Sequence, residues 1–464
     1  LAAVSDLEKL FTDIARYATG RREDASRPHK PVASFAEQME RFRLQVQDEG
    51  VPAEQVISEL IAKAEPGLAA MTEPRFFGWV IGGSNPTGVA ADWLTSAWGQ
   101  NTANHLAAPS AAAAEAQAGA ALLELLHLPR EASVGFVTGG TMANFTGLAA
   151  ARGEVLRRTG WDVEADGLFG APPITVLIGE EAHSTAFAAL KYLGLGTQRV
   201  VKVAVDRNGA IIAGAFREAV AQVDGPLIAI AQAGQINTGA FDPFAEMAEA
   251  LRGKNAWLHV DGAFGLWARA TKTHQHLGAG LELADSWAVD GHKWLQTPYD
   301  AGYAIVKDRA AHIRAMQIPA SYLPGAGDGA RNPSDYVPEL SRRARGFATW
   351  ALIRHFGRKR IAEMISRHCA CARRFAQVLG AERGVEIVND VVLNQLAVRF
   401  GSDEQTREVI ARVQAGGVAF VGGADWRGRW VMRISVSGET TNEAHVDQAA
   451  AAMIEAWQAV RDLN

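Results

Sequence analysis

Four short stretches carry side chains that could do chemistry, and each adjoins an apolar run. Lys293 follows the run in "SWAVDGHKW", where an amine could attack a carbonyl carbon. Asp261 closes the run in "WLHVDGAFG", and a carboxylate there needs a donor or a cation, because burying it bare is very costly. His183 comes just after "ITVLIGE", in "EEAHSTAFAAL". Gly139 and Gly140 in "TGGTMANFTGL" turn a β-like run into a helix, and the backbone N–H groups of such a turn suit a phosphate. Taken singly, each has an ordinary explanation. Lys293 could be a surface lysine lying on Trp294, Asp261 a cap or a salt-bridge partner, His183 a satisfied structural residue, and the two glycines simple geometry.

Together they fit one chemistry. Pyridoxal phosphate requires a lysine that bonds its aldehyde, a buried carboxylate that keeps its pyridine nitrogen protonated, a flat side chain over its ring, and N–H donors for its phosphate. Lys293, Asp261, His183 and the Gly-Gly turn supply all four. Other chemistries lack their residues: there is no Walker A loop, no H-E-x-x-H, no G-x-S-x-G and no C-x-x-C. His259 with Asp261, and His274 with His276, could each begin a metal site. Neither pair has an evident third ligand, so no metal is expected.

The elements that must position these groups are readable from the apolar patterning. Between about 133 and 310, seven β-like runs alternate with helix-length segments: "SVGFVTGG", "ITVLIGE", "QRVVKVAV", "PLIAIAQAG", "AWLHVDG", "DSWAVDG" and "AGYAIVKD". Strands that are apolar nearly throughout predict a mainly parallel sheet covered on both faces, with ligands beyond the carboxyl ends of its strands. Residues 1–75 read as a helical arm, "SDLEKL" opening it with a Ser5-x-x-Glu8 capping box and Pro52 starting a later helix. Residues 76–350 then form the large domain and 351–464 a small α+β domain. Residues 316–340, rich in proline and glycine, read as a lid, since loops beyond roughly 15 residues in a compact domain are usually functional or disordered.

At 464 residues with 48% hydrophobic content, the chain can bury a large core. Lys and Arg total 46 against 51 Asp and Glu, a net charge of −5 without a basic block, which argues against nucleic acid as a partner. Cys369 and Cys371 are the only cysteines and suggest a reducing compartment. No stretch reaches a membrane span, and the first ten residues lack the features of a signal peptide, so a cytoplasmic location is expected.

The order "TGGTMAN", "EEAHS", "WLHVDGAFG", "DGHKW" resembles the group II pyridoxal-phosphate decarboxylases, which act on aromatic L-amino acids, glutamate or diaminobutyrate. The resemblance covers nearly the whole chain. It implies an α/β protein of fold type I, aspartate aminotransferase-like, working as a homodimer with active sites at the interface. Lys293 is then the Schiff-base lysine, Asp261 the partner of the pyridine nitrogen and His183 the imidazole stacked on the ring. Ala263 packs under the ring, while Gly140, Thr141 and His292 lie near the phosphate. Tyr322 in "ASYLP" matches a loop tyrosine that returns a proton to the substrate carbon, and relatives that make aldehydes carry phenylalanine there. Its presence implies simple decarboxylation of an L-amino acid to carbon dioxide and a primary amine. The alternatives are a carbon–carbon lyase, an aldehyde-forming oxidative decarboxylase and a non-catalytic scaffold.

Departures from the family pattern bear on the substrate. "AGQINTGAFDP" replaces the usual Gly-Thr-Thr, so contacts near the ring hydroxyl are expected from Asn237 or Thr238. "GWVIGGSNPTG" replaces a Tyr-Phe-Pro-Thr segment, and Phe77 and Trp79 there lean toward an aromatic substrate. Asp290 stands where relatives often carry asparagine or serine.

Overall fold

Runs that are apolar at every position must be covered on both faces, and helices do this here. The structure, a computed structural model, describes residues 2–24, 26–319 and 331–462. Five helices lead: α1 (Ala2–Glu23), α2 (Phe35–Arg41), α3 (Ala53–Ala64), α4 (Pro86–Trp98) and α5 (Pro109–Leu125). Strands and helices then alternate through β1 (Ser133–Val137), α6 (Gly140–Arg157), α7 (Val163–Asp166), β2 (Thr175–Gly179), α8 (Ser184–Tyr192) and β3 (Val201–Val203). Next come α9 (Ala213–Ala221), β4 (Leu227–Gln232), α10 (Phe244–Ala250), β5 (Ala256–Asp261), β6 (Ser286–Asp290), β7 (Gly302–Val306) and α11 (Arg309–Met316). The C-terminal part holds α12 (Arg345–Gly380), β8 (Val385–Ile387), β9 (Gln395–Phe400), α13 (Asp403–Gly416), β10 (Gly422–Trp426), β11 (Arg429–Ser435) and α14 (Glu443–Arg461).

The seven expected strands form one sheet in the order β1-β7-β6-β5-β4-β2-β3. Strands β6, β5, β4, β2 and β3 run parallel, and β7 lies antiparallel between β6 and β1. The two reversals cancel, so β1 points the same way as β6. The carboxyl ends of β1, β2, β4, β5 and β6 therefore share one edge, the edge where open α/β sheets bind ligands. Every residue of β1, β4, β6 and β7 is buried. α6 crosses this sheet, packing on β5, β6 and β7.

A second sheet, β10-β11-β9-β8, is antiparallel throughout. Leu396, Val398, Phe400, Met432 and Ile434 form its core with Phe375 of α12 and Met453 of α14. α12 joins the two sheets, breaking at Gly357, where φ is +60°; the boundary expected near 350 thus falls inside a helical segment. At the other end of the large sheet, Arg342 and Glu115 form an ion pair at 2.7 Å with side chains 1% and 0% exposed. Arg342 also donates to Phe136 O at 2.6 Å and to Thr102 O at 3.1 Å.

Several expectations change. α1 already runs from Ala2, so Ser5 lies within it and does not cap it. Pro52 is the residue before α3 rather than its first. Part of the stretch read as a lid is packed: Asn332 to Val337 are buried, because His312 Nε2 donates to Tyr336 O at 2.9 Å and Arg309 donates to the Tyr336 hydroxyl at 2.7 Å. α13 and β10 had no counterpart in the sequence reading. Among the described residues, no helix is long and apolar enough to cross a membrane.

Candidate active site

β6 ends at Asp290, and the next three residues carry Lys293 over the edge of the sheet. Lys293 Nζ lies 2.7 Å from Asp290 Oδ2, and the Gly140 N–H at the start of α6 donates to Asp290 Oδ1 at 2.6 Å. One buried carboxylate thus joins the lysine to the Gly-Gly turn. A Cβ on Gly291 would lie 2.3 Å from the Tyr303 hydroxyl, so close packing, not only a tight turn, demands glycine there. The following loop is pinned by Gln296, buried and left-handed at φ +62°. Its amide donates to Lys293 O at 3.0 Å and Ser437 O at 2.8 Å, and its oxygen accepts from Gly83 N–H at 2.5 Å and Glu439 N–H at 3.3 Å.

Asp261 ends β5, in register with Gln232 of β4 and Ala288 of β6. Its Oδ1 accepts the Ala263 N–H at 3.2 Å and its Oδ2 the Asn144 amide at 3.0 Å. These donors supply what burial of a carboxylate requires. His183, just before α8, donates its N–H to Gln232 Oε1 at 3.0 Å, and its Nδ1 accepts the Thr185 N–H at 3.3 Å. With Nδ1 accepting, the neutral ring carries its proton on Nε2. Burial pushes the His183 pKa down, Asp261 opposes this, and Lys293 and Arg433 add to it.

A cavity of about 320 Å³ opens among the 138–141 turn, His183, Ala263, His292, Lys293 and Tyr299. Asp261 lines a smaller recess that also touches His183. Larger clefts of about 560 and 750 Å³ lie along α1 and contain none of these groups. Convergence of strand ends, not size, therefore locates the site. His292 stacks on Tyr299 with centroids 4.3 Å apart, and burial lowers its pKa.

Some expected residues lie elsewhere. Phe77 is 1% exposed and packs edge-on against Phe375 at 5.0 Å, so it belongs to the core of the C-terminal sheet. Trp79 stacks on Phe420 at 5.5 Å with half its surface exposed. The Thr238 hydroxyl donates to Asn208 O at 2.6 Å, and the Asn237 and Thr238 N–H groups both donate to Gln235 Oε1. These two residues brace a turn apart from the cavity. Tyr322 lies outside the described residues.

Two residues went unnoticed in the sequence. Tyr299 lines the cavity, and Arg433 on β11 acts on His183 from the C-terminal sheet. The Arg433 guanidinium donates to Ile236 O at 2.5 Å, its Nε has no partner among the described residues, and burial lowers its pKa to about 10. The signal was an arginine inside an otherwise apolar strand, "WVMRIS".

An amine, a hydrogen-bonded carboxylate, an imidazole and the Gly-Gly start of α6 fit pyridoxal phosphate, in a cavity within the roughly 300–1,000 Å³ of small-molecule sites. The Pyridoxal-dependent decarboxylase conserved domain matches residues 36–400. The chain belongs to the pyridoxal-dependent decarboxylase family. It is a pyridoxal-phosphate-dependent carboxy-lyase acting on an amino acid. Among similar proteins, an aromatic-L-amino-acid decarboxylase of Bacillus atrophaeus is 26% identical over 81% of this chain and 80% of its own length. A 4-hydroxyphenylacetaldehyde synthase of Rhodiola rosea is 26% identical over 86% and 84%. The structure of Oryza sativa TDC with PLP and tryptamine superposes with a TM-score of 0.89, at 24% identity over 98% of both chains. This decarboxylase thus has the fold-type I architecture expected from its motifs.

Proposed function

We propose that this decarboxylase removes the α-carboxylate of an L-amino acid with an aromatic side chain, releasing carbon dioxide and a primary amine. The observation that carries the reading is the convergence of Lys293, Asp261 and His183 from three strand ends. The names of the relatives above support the aromatic class. When bound, pyridoxal phosphate supplies a ring that withdraws the electrons of the breaking Cα–carboxylate bond. Lys293 Nζ would hold the cofactor covalently and give way to the substrate amine. Asp261 would keep the ring nitrogen protonated, and His183 and Ala263 would bracket the ring. Thr141, Gly140 and His292 would hold the phosphate. Arg433 would take the substrate carboxylate, a role suited to a buried guanidinium that has no acidic partner among the described residues. Measuring carbon dioxide release from the common L-amino acids tests the substrate class. Turnover of glutamate or aspartate but of no aromatic amino acid would overturn it and recast Arg433 as a side-chain anchor.

Tyr322 would return a proton to Cα. Tyr322→Phe is expected to shift product from amine toward aldehyde by roughly tenfold or more in ratio, with dioxygen consumed as the oxidant and ammonia and hydrogen peroxide released. An unchanged ratio removes Tyr322 from the mechanism. Asp290 has the opposite bearing on cofactor binding, since its carboxylate faces the phosphate turn and pairs with Lys293. Asp290→Asn is expected to tighten pyridoxal phosphate binding to the cofactor-free protein by roughly tenfold, through removal of one like-charge contact. Fluorescence titration measures this, and equal affinity of the two proteins would refute it.

We also infer a homodimer. Phe35, Trp93, Leu94, Trp98 and Leu106 are exposed in the single chain, and a subunit interface would cover such large apolar side chains. Sedimentation of the purified protein as a monomer would exclude it.

A further inference from the structure

A line of hydrogen bonds runs behind Asp261, through residues to which the reaction gives no part. The Trp257 indole N–H donates to Ser286 Oγ at 2.8 Å. Ser286 Oγ lies 2.7 Å from His259 Nδ1, and His259 Nε2 lies 2.9 Å from Asn144 Oδ1. Asn144 then donates from Nδ2 to Asp261 Oδ2 at 3.0 Å. His259, Ser286 and Asn144 are all fully buried. An amide oxygen only accepts, so His259 Nε2 must carry a proton. Burial holds the His259 pKa at about 3, which leaves the ring neutral and Nδ1 bare to accept from the Ser286 hydroxyl. Each bond fixes the direction of the next. The alternative, with the Asn144 amide turned over, would aim its oxygen at the Asp261 carboxylate.

The elements involved explain why this line matters. Asn144 is on α6, four residues after the turn at Gly140. His259 and Asp261 are on β5, and Ser286 begins β6, the strand that leads to Lys293. The line therefore ties together the elements that carry the phosphate turn, the carboxylate and the lysine. Space is reserved for it: a Cβ on Gly147 of α6 would lie 2.8 Å from His259 Cε1 and 2.9 Å from Nδ1.

We propose that His259 is a positioning residue that orients Asn144 to donate to Asp261, and so governs how firmly Asp261 holds the protonated ring nitrogen of the cofactor. This rests on the reading of Asp261 as the partner of that nitrogen. The discriminating probe is an analogue of pyridoxal phosphate with CH in place of the ring nitrogen, titrated beside the natural cofactor into cofactor-free protein. His259→Leu and Asn144→Leu are expected to weaken binding of pyridoxal phosphate on the order of tenfold, the worth of one hydrogen bond to a charged group, and to leave the affinity for the analogue within about twofold. Gly147→Ala, which displaces the ring without removing any partner, is expected to act in the same direction and covers the case in which the leucine variants fail to fold. Equal weakening for both ligands, or none for either, would overturn the proposal. Asp261→Ala separates it from the reading beneath it. If Asp261→Ala weakens binding of the cofactor and of the analogue equally, the role of Asp261 is what fails. If Asp261→Ala weakens binding of the cofactor but not of the analogue, and the His259 and Gly147 variants do not, the positioning role alone is lost.

Discussion

Lys293→Ala is expected to lower amine production on the order of 10⁴-fold or more, the scale on which enzymes lose turnover with their nucleophile. Borohydride should then no longer fix cofactor to the chain, as mass spectrometry of the treated protein would report. The geometry sharpens the expectation. Lys293 Nζ is held 2.7 Å from Asp290 and 5.8 Å from the Phe264 ring centroid, and among the described residues that line the cavity it is the only lysine. Removing it also strands the Asp290 carboxylate, which is 3% exposed and keeps the Gly140 N–H and the nearby His292 as partners. A loss of thermal stability should accompany the loss of turnover. Lys293→Ala combined with Asp290→Asn should regain stability without regaining activity, separating the structural part of the lysine from the chemical one. Retention of more than a few per cent of turnover in Lys293→Ala would refute its role.

The second large effect concerns stability alone. Arg342→Met is expected to destabilise the fold by about 3–5 kcal/mol, the usual result of removing one partner of a buried ion pair. A fall in thermal midpoint on the order of 10 °C should follow. Glu115 would be left where burial already pushes its pKa up, so it must take a proton to remain inside. A group whose folded pKa is raised contributes stability below its unfolded pKa and loses it as pH rises, so the deficit should grow toward alkaline pH. Arg342→Met with Glu115→Leu should recover most of the loss, because an apolar pair of similar size avoids the desolvation of two charges. A single variant within about 1 kcal/mol of the unaltered protein would show that the pair is dispensable.

Much of this was legible before any coordinates. Strands buried on both faces are marked by unbroken apolar runs, and so the large sheet and the strand-end positions of Lys293, Asp261 and His183 could be read directly. The reversal of β7 could not, because a core strand has the same composition in either direction. α13 was signalled and overlooked: Ser402 and Gln405 form a capping box at its start. β10 opens on two glycines and gives no apolar alternation. Phe77 and Trp79 differ by two positions and look alike in sequence, yet one is buried on Phe375 and the other stacks on Phe420 half exposed. Arg433, His259 and Asn144 act through partners far along the chain, and spacing within a motif carries no trace of such contacts.

Gln296 links residues 83, 293, 437 and 439 through a single side chain. The last of these lies 143 positions beyond Gln296 in the chain. The lysine loop therefore reaches its final arrangement only after the residues that follow β11 have been made and have folded against it.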